Sequence, residues 1–104
     1  MMLAIALAAS AVQPAEPRTE AEIVVVGRRL AGLSVNVGRD GRGRFTCGLS
    51  ASSGSARLDA ALCRTAARCV REGVGDVHAC VDRRKPELLS DLRRQLARRR
   101  GHAA

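Results

Sequence analysis

The chain has 104 residues and a mass of 11.0 kDa, room for one small domain and too little for a Rossmann unit, a large catalytic cleft or several domains. Its hydrophobic share is 46%, but much of that is Ala, and Phe45 is the one aromatic residue. Large apolar side chains are therefore scarce, a thin core needs reinforcement, and the formal net charge of +8 invites anionic partners.

Residues 1–11 carry no charge, and Leu3 to Ala9 form a short apolar run. Ala9-Ser10-Ala11 places small residues at the −3 and −1 positions of a signal peptidase site. No Lys or Arg precedes the run, a departure from the usual pattern. The run is too short to span a bilayer, which takes about 20 apolar residues. Residues 1–11 are read as a signal peptide and export to the periplasm or medium is expected. Residues 12–21 are rich in Pro, Glu and Thr and read as a flexible leader.

Residues 22–28, EIVVVGR, are β-branched and continuous and predict a strand. Leu33, Val35 and Val37 alternate with Ser34 and Asn36, which predicts a half-buried strand over 33–38. Asp40-Gly41 is the signal of a tight type I′ hairpin turn, with a bulge as the variant. Phe45, Cys47 and Leu49 alternate with polar or small residues, giving a returning strand over 43–49. The expected fold class is α+β, with a small antiparallel sheet. Ser50 to Ser55 reads as a loop, with Ser55 as N-cap of a helix over 56–72. Gly73 ends that helix. Asp76 can cap a short helix over 76–84, with Val77, Cys80 and Val81 inward. Pro86 suits the first turn of a last helix over 86–100, where Leu88, Leu92 and Leu96 form a stripe beside Leu89. The organisation is a stapled domain over 22–82 and a basic C-terminal helix and tail over 83–104.

Cys47, Cys63, Cys69 and Cys80 make an even count in a short exported chain, the pattern of two disulfides. Cys63 and Cys69 sit six residues apart in one predicted helix, separated by about 9 Å of rise. That excludes a bridge between them, since disulfide Cα atoms rarely lie more than about 7 Å apart. Two pairings remain: 47–63 with 69–80, or 47–69 with 63–80. His78 and Cys80 beside Cys63 and Cys69 suggest a Cys3His zinc site, but CxxC is absent and thiols in an oxidising compartment pair first. No cofactor or metal is expected.

The sequence offers no catalytic constellation. His102 stands in the tail, and His78 has only Asp76 and Asp82 near it. Gly38, Gly41 and Gly43 have hairpin rather than phosphate-loop spacing. Asp59 suits a helix N-terminus better than a general base. A non-catalytic role is expected. Charge is uneven: residues 83–104 carry a net +6 and residues 12–82 a net +2. Arg93, Arg94, Arg98, Arg99 and Arg100 flank the leucine stripe and are the candidate contacts to an anionic membrane or lipopolysaccharide surface. Nucleic acid also fits that charge, but export and the near absence of aromatics for stacking argue against it.

Residues 41–63, GRGRFTCGLSASSGSARLDAALC, resemble the C-terminal domain of TonB-type energy transducers in its cysteine-bearing form. The shared features are the hairpin, Cys47 on its second strand, Ser52 to Ser55, Leu58-Asp59-Ala60, and Cys63 sixteen positions after Cys47. The likeness spans about residues 33–69. It departs from the family after the helix, where Gly73 to Cys80 and two helical segments stand in place of a further strand. The resemblance implies the 47–63 bridge, leaving 69–80 as the second. It also implies a protein-interaction module whose partner adds a strand to the sheet edge. A weaker likeness links EIVVVGRR, residues 22–29, to the segment of TonB-dependent outer-membrane receptors that pairs by strand addition. The chain's own first strand is the preferred reading, and both predict extended backbone.

Overall fold

The computed structural model describes residues 16–102, with side chains as far as Arg99. Five elements follow in order: α1 (Glu20–Ala31), β1 (Val35–Arg39), β2 (Phe45–Leu49), α2 (Ala56–Arg71) and α3 (Val77–His102). The fold is α+β. The predicted signal peptide, residues 1–11, lies outside the described residues.

The segment expected as a strand over 22–28 is the middle of helix α1. Its start carries a capping arrangement. The Thr19 side chain accepts from the Glu22 amide at 3.1 Å, and the Glu22 carboxylate accepts from the Arg18 amide at 2.7 Å. Glu20 and Glu22 sit in the first turn and Arg28 and Arg29 in the last, both favourable to the helix dipole. Ile23, Val26 and Leu30 recur at helical spacing and are buried. Val24 and Val25 are left 41% and 43% exposed. Caps and the spacing of buried side chains outweigh the β preference of three consecutive valines, which is worth only tenths of a kcal/mol per residue. The leader expected over 12–21 is likewise corrected within the described residues. Pro17 is buried, and Glu16 accepts from the Arg57 amide at 3.0 Å.

β1 and β2 form a two-stranded antiparallel sheet with Val35 opposite Leu49, Val37 opposite Cys47 and Arg39 opposite Phe45. The turn differs from the expected type I′. It is a three-residue loop in which the Gly43 amide donates to the Asp40 carbonyl at 3.0 Å and Gly43 takes φ 75°. That is a type I turn closed by a left-handed glycine. The Asp40 carboxylate selects it, accepting from the Arg42 and Arg44 amides at 2.8 and 3.0 Å.

α2 begins as predicted, with Ser55 accepting from the Leu58 amide at 3.2 Å. It ends in a Schellman arrangement. Gly73, at φ 72°, donates to Val70 and Val74 donates to Cys69. α2 packs against both strands on one side and against α3 on another, and α1 packs against α3.

The two C-terminal helices expected over 76–84 and 86–100 are one continuous helix. Asp76 caps it, accepting from the Ala79 amide at 3.0 Å. Pro86 lies inside it, although a mid-helix proline costs about 3 kcal/mol. Packing on both sides of Pro86 offsets that cost. Cys80 and Val81 before it and Leu92 and Leu96 after it belong to the same core as Leu58 and Leu62. Lys85, 8% exposed, ties the helix to the α1–β1 connection by donating to the Leu33 carbonyl at 2.7 Å. It also pairs with Asp82 at 2.8 Å. The boundary expected between 22–82 and 83–104 therefore falls inside one helix with one core.

Helix and strand geometry divide the valines of α1 differently, which makes the correction testable. Val26→Ala is expected to lower unfolding free energy by about 1–2 kcal/mol and Val24→Ala by less than about 0.5 kcal/mol, read by urea denaturation. A strand would place both on one face and give them matching losses.

Candidate functional site

The four cysteines join three elements. Cys47 on β2 bonds Cys63 on α2 with Cα atoms 5.8 Å apart, and Cys69 on α2 bonds Cys80 on α3 with Cα atoms 6.2 Å apart. α2 is thus stapled to the hairpin near its middle and to α3 near its end. The pairing is the one that the resemblance implies. No cysteine is free, so none offers a thiolate to a metal or a substrate. Among the described residues no group of three or more His, Cys, Asp or Glu side chains converges as a metal site. His78 is exposed. Asp59 accepts from Ser52 Oγ at 2.6 Å, the Ser53 amide at 2.9 Å and Ser53 Oγ at 2.6 Å. The carboxylate thereby folds the serine loop onto the helix start. Ser55 Oγ, besides capping α2, donates to the Glu16 carboxylate.

Both outer edges of the two-stranded hairpin are open among the described residues; β1's carries Arg39, and β2's carries no basic residue. Ser34 opposite Ser50 and Asp40 opposite Arg44 mark hydrogen-bonded pairs at the hairpin's two ends. Alternation then gives Asn36 with Gly48 and Gly38 with Thr46 the same inward bonding. The main-chain N–H and C=O groups of Phe45, Cys47 and Leu49 consequently point outward along β2. Among the described residues no other element donates to or accepts from them. Their side chains lie on the α2-facing side, half-buried, while Thr46 and Gly48 face solvent. β2 carries neither Lys nor Pro, the residues that commonly blunt an exposed edge.

Charge is organised by a division of labour. Nine of the ten acidic residues cap, fold or pair within the chain. Glu87 is the exception. Among the described residues most arginines form no ion pair. Among the five candidate surface arginines, Arg93 pairs with Glu20 at 2.9 Å and Arg94 pairs with Asp91. Arg98 and Arg99 are exposed and have no ion-pair partner among the described residues. The Arg100 side chain lies outside the described residues. Thus two of the five serve the fold, and the leucine stripe between them docks in cis through Leu92 and Leu96. α2 bears a further set that the linear charge count did not single out: Arg57, Arg64 and Arg68 line a groove of about 600 Å³ between α2 and α3. Their spacing of seven and four along one helix was the available signal.

No helix among the described residues is long and apolar enough to cross a membrane. Two disulfides are compatible with an oxidising compartment. No family model, curated protein or solved structure matches the chain.

Peptide mapping under non-reducing conditions is expected to recover cross-linked fragments joining Cys47 to Cys63 and Cys69 to Cys80. Fragments joining Cys47 to Cys69 would contradict the three-element stapling.

Proposed function

We propose that the chain is a non-catalytic module of the bacterial envelope, exported to the periplasm or beyond, that binds a protein partner by strand addition to β2. The observation that carries this reading is the unpaired outward edge of Phe45, Cys47 and Leu49. A two-stranded sheet is the least complete sheet there is, and here α2 and the Cys47–Cys63 bridge hold it open to a third strand. The occupant is an extended segment whose alternate apolar side chains fall beside Phe45 and Leu49. Carboxylates next to its end meet Arg42 and Arg44 at the exposed hairpin tip. This is the recognition mode that the resemblance to TonB-type domains implies, supplied by the chain's own hairpin. α1 is already folded on α3, so residues 22–28 are not the strand that fills the edge.

A second reading rests on Arg98 and Arg99. Their exposed, unpaired guanidinium groups at the end of α3 suit attraction to anionic lipid or lipopolysaccharide phosphates. Two charges give a weak and salt-sensitive contact, which places this surface as an aid to localisation.

A photo-reactive side chain at Thr46, introduced into the full chain in cells, tests the edge. Thr46 faces outward on β2. The expected product is a discrete adduct with an envelope protein, reduced at least about tenfold by Leu49→Pro, which deletes an outward N–H not used in the hairpin ladder. Equal adduct yield with Leu49→Pro, or adducts formed only from a probe at Arg98, would overturn strand addition.

A further inference from the structure

The α2–α3 groove is lined by no residue of the hairpin and so lies apart from the sheet edge. One wall is arginine. At 100° per residue, Arg57, Arg64 and Arg68 fall within an arc of about 40° and extend over about 17 Å of helix. Arg64 and Arg68 are exposed without ion-pair partners among the described residues, and Arg57 donates to Gln95 at 3.4 Å. Small side chains, Ala60 and Ala61, stand between the arginines, and Leu88 is half-buried across from them. The far wall is mixed, with Glu87 and Asp91 beside Arg84 and Gln95, and Arg84 is engaged by Glu72 at 2.8 Å. Asp91 is held by Arg94, but Glu87 has no hydrogen-bond or ion-pair partner among the described residues.

That mixture of charges selects the occupant. A bilayer surface or a nucleic-acid backbone is uniformly anionic, and Glu87 would repel it. A flat surface also reaches only the rims of a concave groove. A peptide helix can satisfy both walls, with carboxylates on one side and a cation on the other, while its apolar stripe enters between the alanines and Leu88. We propose that the groove between α2 and α3 binds an acidic amphipathic helix of a partner protein. Carboxylates spaced by seven and four residues face Arg57, Arg64 and Arg68, and a Lys or Arg faces Glu87. Small residues on α2 let the two helix backbones approach closely, and the arginine fork converts that approach into charge-assisted hydrogen bonds.

The probe is a fluorescein-labelled peptide of about 18 residues, long enough to hold helix, built from Ala, Leu, Glu and one Lys in that pattern. It is titrated into the oxidised full chain at low and physiological salt. A scrambled peptide of equal composition, phosphatidylglycerol vesicles and an oligonucleotide run in parallel. The patterned peptide is expected to bind more tightly than the scrambled one and to shift the amide resonances of Ala60, Ala61 and Leu88. Arg64→Glu with Arg68→Glu should weaken it at least about tenfold. Leu49→Pro and the Arg98→Glu, Arg99→Glu pair should leave it unchanged, which separates this groove from the sheet edge and from the tail. Retention of both disulfides and of helical circular dichroism qualifies each variant, and Arg64→Gln with Arg68→Gln replaces a charge reversal that unfolds. Equal binding of the scrambled peptide would overturn the proposal. So would an affinity unmoved by both substitutions, or capture of vesicles or oligonucleotide through Arg64 and Arg68 with the peptide excluded.

Discussion

Covalent cross-linking of α2 to both of its neighbours is the constraint on which the rest depends. The core consists of Ile, Val, Leu, Ala and the half-cystines themselves, with Phe45 only partly covered. Two strands alone bury too little to persist in water. The Cys47–Cys63 bridge fixes the hairpin on α2, and Cys69–Cys80 fixes the start of α3 beside the end of α2. In the chain-entropy view each bridge, closing a loop of 16 or 11 residues, contributes about 3 kcal/mol. That is comparable with the whole net stability of many small domains. With the sheet held covalently, its outer edge need not be filled from within. The openness of the site and the stapling of the core are thus two faces of one arrangement.

Local chemistry made some of this legible in the sequence and hid the rest. Helix α2 was legible because Ser55, Leu58, Leu62, Ala66 and Gly73 state its start, its face and its end together. The hairpin was legible because alternation at Val35, Val37, Phe45, Cys47 and Leu49 has no helical counterpart. Three successive valines obscured α1. Their β preference is local and small, whereas Thr19, Glu22 and the buried set Ile23, Val26 and Leu30 act together. The Thr-x-x-Glu spacing just upstream was the signal to weigh. Pro86 misled in the opposite direction, since its cost in isolation is real and the packing that offsets it comes from α1, α2 and the Leu33 carbonyl. Nothing local to residues 83–90 reveals those partners.

The candidate surfaces were legible in kind more than in place. An excess of arginine over acid is the signal from which anionic partners are expected, but the linear count put the excess in the last fifth of the chain. Folding redistributes it. Glu20 comes to Arg93 from the opposite end of the described chain, and Asp91 closes on Arg94. Among the described residues, what remains unpaired is spread over the end of α1, the hairpin tip, the exposed face of α2, and α3 from Arg83 to its final turns. The acids, by contrast, are nearly all spent on caps, turns and pairs. The basic character of the surface is thus partly a consequence of how the fold uses its carboxylates.

The most direct test of the central claim is equilibrium urea unfolding of the full chain, followed by far-UV circular dichroism, before and after complete reduction of its disulfides. The account predicts a loss of several kcal/mol on reduction, enough to leave most of the chain unfolded without urea at ambient temperature. An unchanged midpoint and unchanged helical signal after reduction would show a core that holds itself, and would contradict the account.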